Sequence, residues 1–188
     1  MKILRVIITM DPAWGGPCQG IRDSIYELKN YNIHNEVVSL DDPNAAFLGQ
    51  DPFIIHPLGP ALGSWNYSAK LLKWLHSNIN RFDVVIVHGT WHYHCYAVNR
   101  VIQQLKNKSS KDQSDYSSIP KFFIMPHGML DPWFQEAPGR KLKALRNWAY
   151  WKLIEADGIR KADGLLFTCE EELILARKPF KPYHPKKR

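Results

Sequence analysis

Residues Ile3–Thr9 read ILRVIIT, a nearly continuous β-branched run with a Gly/Pro-rich turn, DPAWGGP, directly behind it. A strand that is apolar at successive positions, rather than at alternate ones, is covered on both faces. That is how a parallel strand between two layers of helices reads. Lys2 and Arg5 interrupt the N-terminus, the apolar run is too short to span a bilayer, and no small-residue cleavage site follows. The segment is therefore expected to be a buried first strand.

Working outward, Ile21, Ile25 and Leu28 recur at helical spacing, and EVVSL at Glu36–Leu40 supplies a second strand. Phe53–Gly59 (FIIHPLG) gives a third. Ser64 is placed to cap a helix whose stripe is Leu71, Leu72, Leu75 and Ile79. Asp83–Gly89 (DVVIVHG) reads as a central strand. Val98, Val101, Ile102 and Leu105 mark the next helix, which is expected to dissolve into a polar flexible loop over 107–118. KFFIM (Lys121–Met125) is a fifth strand and GLLFT (Gly164–Thr168) a sixth. Gly139–Ala156 between them reads as a long basic, aromatic helix with Leu142, Leu145, Ala149 and Leu153 on one face, and EEELILARK as a last helix. Strands alternating with helices imply an α/β fold: a doubly wound, mostly parallel Rossmann-like sheet with helices on both faces. One domain over 1–178 and a linker or tail over 179–188 account for the chain.

Composition narrows the class. The chain has 188 residues, is 45% hydrophobic and 12% aromatic, and so can bury one full core. Its 25 Lys and Arg against 18 Asp and Glu give +7, which favours anionic partners. Three cysteines, Cys18, Cys95 and Cys169, lie far apart without a CxxC pair. That argues against a disulfide framework and fits a reducing cytoplasm.

In an open α/β sheet, ligands bind beyond the carboxyl ends of the strands, so four loops matter. After the first strand, Gly15 and Gly16 allow either a tight turn of positive φ or close approach of backbone amides to a phosphate or sugar. Their spacing is not that of a GxGxxG dinucleotide fingerprint. After the fourth strand comes HGTWHYHC. His88 and His92 raise the thought of zinc, but Gly89-Thr90 puts a strand-to-helix turn between them and no HExxH accompanies it, so no metal is expected. After the fifth strand, PHGMLDPWF places His127 and Gly128 at the strand tip, where a histidine can exchange a proton or hydrogen-bond a sugar hydroxyl near neutral pH. Trp133 and Phe134 are read as a plug over the sheet end. After the sixth strand, Thr168 is read as a helix cap, Cys169 as a packed thiol, and Glu170–Glu172 as acids suited to a helix N-terminus. Arg140, Lys141, Lys143, Arg146 and Lys152 interleave with Trp148, Tyr150 and Trp151. Such a helix suits an anionic lipid surface, or else a solvated face over a core stripe. No nucleic-acid motif accompanies it, so no nucleic-acid partner is expected.

Taken in order, the GGP turn, VHGTW, PHGMLDPWF and ADGLLFTCEEE resemble the N-terminal half of family-four glycosyltransferases of the GT-B fold, of the bacterial polysaccharide-building type. The resemblance runs from about Ile3 to Ala176. It implies an acceptor-side domain of a two-domain enzyme that performs retaining transfer from a nucleoside diphosphate sugar to a saccharide or lipid-linked acceptor, without a metal or other cofactor. It implies that His127 hydrogen-bonds the donor or transition state, that Gly15 and Gly16 lie near the donor phosphates, and that His88, Gly128 and Glu172 line the cleft. The donor-binding domain of that family has no counterpart in this sequence, so the chain alone is expected to be weak or inactive. A cytoplasmic protein, peripheral at the membrane through 140–152, is the matching location. The competing expectation is a non-catalytic saccharide-binding or partner-docking module of the same fold.

Overall fold

Six strands pair in parallel in the order β3-β2-β1-β4-β5-β6 in a computed structural model that describes residues 1–112 and 119–186. They are β1 (Lys2–Val6), β2 (His34–Ser39), β3 (Ile54–Pro57), β4 (Val84–His88), β5 (Lys121–Met125) and β6 (Gly164–Leu165). The helices are α1 (Gly16–Lys29), α2 (Ala69–Asn78), α3 (Tyr93–Asp112), α4 (Trp133–Glu136), α5 (Lys141–Tyr150), α6 (Ala156–Lys161) and α7 (Glu170–Leu175). The expected doubly wound parallel sheet is the fold observed. Its order reverses between β1 and β4, which opens a crevice at their carboxyl ends.

Each face of the sheet has its own core. On one side Ile21 and Ile25 of α1 meet Ile7, Met10, Cys18 and Val37. On the other, Leu71 and Leu75 of α2 and Val98, Val101 and Ile102 of α3 close over Leu4, Val6, Val85, Val87 and Ile124. Burial on both faces is why the strands lack a polar alternation, and each fully buried aliphatic side chain contributes about 1.5–3 kcal/mol.

Several expectations change. The helix after β3 starts at Ala69, with Ser68 at its cap position, because Leu62 and Tyr67 first bridge antiparallel and hold Ser64 in the turn between them. Helix α3 continues through 107–112, where a loop was expected; positions 113–118 lie outside the described residues. The long basic helix is two helices joined by a π-helical turn, Trp151–Glu155. Its inward face is Asn147, Trp151, Glu155 and Ile159, whereas Leu142, Leu145 and Leu153 are 85%, 62% and 80% exposed. A π turn admits an extra residue, so the leucine rhythm no longer tracks the buried side. The tail returns to the body: Phe180 is buried and stacks on Trp151 at 4.7 Å, and the Trp151 indole N–H donates to the Pro182 carbonyl at 3.3 Å.

Candidate functional site

The crevice is built by the loops after β1, β4, β5 and β6. His88 ends β4 and is buried; His127 follows β5 and is half-buried. His88 Nδ1 lies 2.9 Å from His127 Nε2, and the rings stack with centroids 5.2 Å apart. Behind them Arg5, buried within β1, places Nη1 3.4 Å from His88 Nε2 and donates Nε to Asn35 Oδ1 at 3.0 Å. An arginine can only donate. His88 Nε2 must therefore accept, its Nδ1–H donates to His127 Nε2, and a neutral His127 keeps its own Nδ1–H as a donor. Burial holds both histidines below the ordinary imidazole range, His88 well below it. For His127, Arg5 acts in the same direction and Glu172 opposes it. Burial also lowers the Arg5 guanidinium to about 10, which leaves it charged at neutral pH.

The loop that presents His127 is strained and tied. His127 has φ 53° and Gly128 φ 75°, consecutive left-handed residues of which only glycine adopts the conformation freely. Glu172 fixes the turn: Oε1 accepts from the Gly128 N–H at 2.6 Å, and Oε2 accepts from the Thr168 N–H at 2.8 Å and its hydroxyl at 2.7 Å. Burial alone would raise the Glu172 carboxyl, but these donors and His127 bring it below the usual range. Glu172 thus holds the loop, and Thr168 is its partner rather than the cap of α7. Cys169 occupies the cap position and is exposed, not packed.

Across the crevice, Gly15 caps α1 at φ 76° without any side-chain cap bond, and Gly16 opens the helix. A Cβ on Gly15, Gly16, Gly20 or Gly128 would meet nothing within 4 Å. The backbone at the start of α1 can therefore be approached closely on the glycine side. A hollow of about 550 Å³ is walled by Gly16, Gly20, Arg5, His88, His127 and Thr168. His88 and His127 also wall a smaller one of about 150 Å³ with Thr9, Trp14 and Cys18. Of the residues that the sequence singled out, Gly16, His88 and His127 line these hollows, Gly15 and Gly128 are their chain neighbours, and Glu172 ties the Gly128 turn from behind.

The other histidines of HGTWHYHC have separate uses. His94 Nε2 donates to the His88 carbonyl at 2.9 Å, and the Cys95 thiol donates to the Gly89 carbonyl at 3.1 Å, pinning α3 to the strand tip. His92 turns to Asn66 at 3.1 Å. Among the described residues no three His, Cys, Asp or Glu side chains gather to hold a metal ion. Trp133 and Phe134 do not plug the sheet: Trp133 is exposed, Phe134 borders a third hollow, and Leu130 is the buried residue of that loop. Arg5 was the residue missed, although an arginine inside an apolar strand is a visible signal. No helix among the described residues is long and apolar enough to cross a membrane.

No family model matches the chain, and no curated protein matches it significantly. Among solved structures, sucrose-phosphate synthase from Thermosynechococcus elongatus is similar at 18% identity and a TM-score of 0.53, over 99% of this chain and 47% of that one. MurG from Acinetobacter baumannii aligns at 9% identity and a TM-score of 0.47, over 100% of this chain and 43% of its own. A short-chain dehydrogenase/reductase from Burkholderia vietnamiensis aligns at 12% identity, with a TM-score of 0.38 over 91% and 88%. The likeness to the first of these shows a GT-B glycosyltransferase-like fold. The chain spans less than half the length of either glycosyltransferase structure.

Proposed function

We propose that this chain forms the acceptor-side half of a retaining glycosyltransferase of the family-four type, which moves a sugar from a nucleoside diphosphate donor to a saccharide or lipid-linked acceptor in polysaccharide synthesis. The observation that carries the reading is the Arg5–His88–His127 relay, which leaves a neutral His127 with one N–H to donate in the wall of a crevice that the glycine-opened end of α1 also lines. In the transfer, the bond from the sugar's anomeric carbon to the diphosphate oxygen breaks, and one from an acceptor hydroxyl forms on the same face. The acceptor proton leaves with the diphosphate. Charge grows on the departing diphosphate, and preorganised amides at a helix start stabilise it without a metal. His127 Nδ1–H suits a hydroxyl of the donor sugar, which it orients beside that charge. Gly16 opens the helix, and with no side chain on it or on Gly20 a phosphate can come close to the start of α1.

In this reading a second domain holds the nucleotide. The test therefore pairs this chain with a donor-binding half, in one polypeptide or in trans, and follows transfer of labelled sugar from a panel of nucleotide sugars. His127→Ala is expected to lower kcat about 10²–10³-fold. Saccharide binding with no transfer under any pairing would instead identify a non-catalytic saccharide-binding module.

The 140–152 segment is proposed to rest on an anionic membrane face, which would place the protein in the cytoplasm, peripheral at the inner face of the membrane. Leu142, Leu145 and Leu153 stand exposed beside Lys141, Lys143 and Lys152, the pairing an interfacial helix needs.

A further inference from the structure

A third hollow, about 460 Å³, adjoins the histidine crevice and shares His92 and Met129 with it. Its size is in the range of small-ligand sites. Its floor is aromatic: Trp65, Trp91 and Tyr150, each half-buried. The two indole N–H groups of that floor are already engaged. The Trp65 indole N–H donates to the Tyr150 hydroxyl at 2.8 Å, and that of Trp91 to the Met129 carbonyl at 3.0 Å. What remains for a ligand is ring surface, which suits the C–H faces of a pyranose, and the Tyr150 O–H as a donor.

The rim carries two guanidinium groups, Arg140 and Arg146. Arg140 lies 5.0 Å from the Trp133 ring and 5.3 Å from that of Phe134, with Nε donating to the Phe134 carbonyl at 3.4 Å. Arg146 donates Nη2 and Nε to Asn147 Oδ1 at 2.9 and 3.3 Å. Both arginines are therefore held by neutral groups, and neither forms an ion pair with a carboxylate among the described residues. Two oriented forks with no anion of the protein's own are what a carboxylate or phosphate binds. Glu155, which accepts from the Trp91 N–H at 3.4 Å, is buried, and burial pushes it up to about 7. Mildly acidic solution thus leaves that carboxyl largely neutral.

We propose that this hollow binds the acceptor saccharide and selects one bearing an anionic group, a sugar carboxylate or the phosphate of a lipid-linked sugar, between Arg140 and Arg146. Naming the ligand an acceptor rests on the transfer reading of the adjoining crevice; the binding itself does not. Stacking on the aromatic floor holds the ring, and the arginines choose its charge.

Calorimetric titration of this chain at pH 6 tests the inference with three probes: a neutral disaccharide, the same disaccharide ending in a uronic acid, and a sugar pyrophosphate on a short, water-soluble prenyl chain. At least one acidic probe is expected to bind about tenfold or more tightly than the neutral one. Whichever acidic probe wins identifies the source of the charge. Arg140→Gln with Arg146→Gln is expected to erase the preference while leaving neutral binding in place, and Trp65→Ala to weaken every probe. Arg146→Lys, which retains charge but loses the fork, is expected to keep only part of it. Equal binding of all three probes, or a preference that survives in the double glutamine variant, overturns the proposal. Charge-selective binding without any transfer would sink only the transfer reading.

Discussion

Helix α2 and the segment from α5 to α6 carry nearly the same leucine rhythm and point it in opposite directions. In α2, Leu71 and Leu75 are fully buried against the sheet. In α5 and the turn behind it, Leu142, Leu145 and Leu153 stand in the open, while Asn147, Trp151 and Glu155 face inward. Periodicity locates an amphipathic helix but does not say which side meets the core. That is settled by what the rest of the chain offers. For α2 it is a bare sheet face. For the later segment it is the tail aromatics Phe180 and Tyr183, which both stack on the buried Trp151.

The largest effect should come where the unexpected face is buried. Trp151→Ala removes a fully buried indole and is expected to cost about 3–5 kcal/mol, with Leu75→Ala in the comparable range of about 2–5 kcal/mol. Trp148→Ala, three positions away and half exposed, should stay within about 0.5 kcal/mol. Urea unfolding midpoints of the three variants check the ordering. If Trp148 proved the costlier tryptophan, the orientation assigned to α5 would be wrong.

A second effect separates the two helices by pH. Helix α2 buries no acid, whereas Glu155 is 2% exposed, with burial as the first cause of its raised pKa of about 7; the Trp91 N–H and the Cys95 thiol pull only weakly the other way. The unfolded chain ionises this carboxyl near 4.5. Below that pH both states are protonated and no cost arises. As pH rises to about 7 the unfolded state is increasingly favoured, and above it the penalty levels off near about 3 kcal/mol. Glu155→Gln keeps an oxygen for Trp91 and never ionises. It should match the native chain near pH 4.5 and exceed it in stability by up to that amount at pH 8. A difference that does not vary with pH would show that the carboxyl is solvated.

The same contrast explains what was legible in the sequence. All six strands were readable, because covered parallel strands announce themselves as unbroken β-branched runs, and the loop rule then put Gly15, Gly16, His88, Gly128 and His127 at one end of the sheet. The relations between distant segments were not. Arg5 reaches His88 across 83 positions and Trp65 reaches Tyr150 across 85, and nothing local in either residue's neighbourhood names its partner. Glu172 looked like a cap-region acid and is one. Only the folded loop shows that its other oxygen holds Gly128.

The smallest effect on stability is expected where the pattern in sequence is strongest. Replacing Leu142, Leu145 and Leu153 together by Ser would ruin an inward stripe, as any one such change in α2 would. On the outward face the three changes remove apolar surface that folding never buried, so each should alter the unfolding free energy by no more than about 0.5 kcal/mol. Sedimentation with vesicles rich in anionic phospholipid supplies the second reading. The native chain should co-sediment at low salt and the triple variant should not, because each leucine removed takes away area that would enter the interface, while the lysines alone leave only a salt-screened attraction. Unchanged stability with lost vesicle binding would mark the face as an interface. A loss of several kcal/mol would mean that the leucines pack against part of the chain itself. Unchanged stability with unchanged sedimentation would leave the lysines as sufficient and remove the leucines from the membrane proposal.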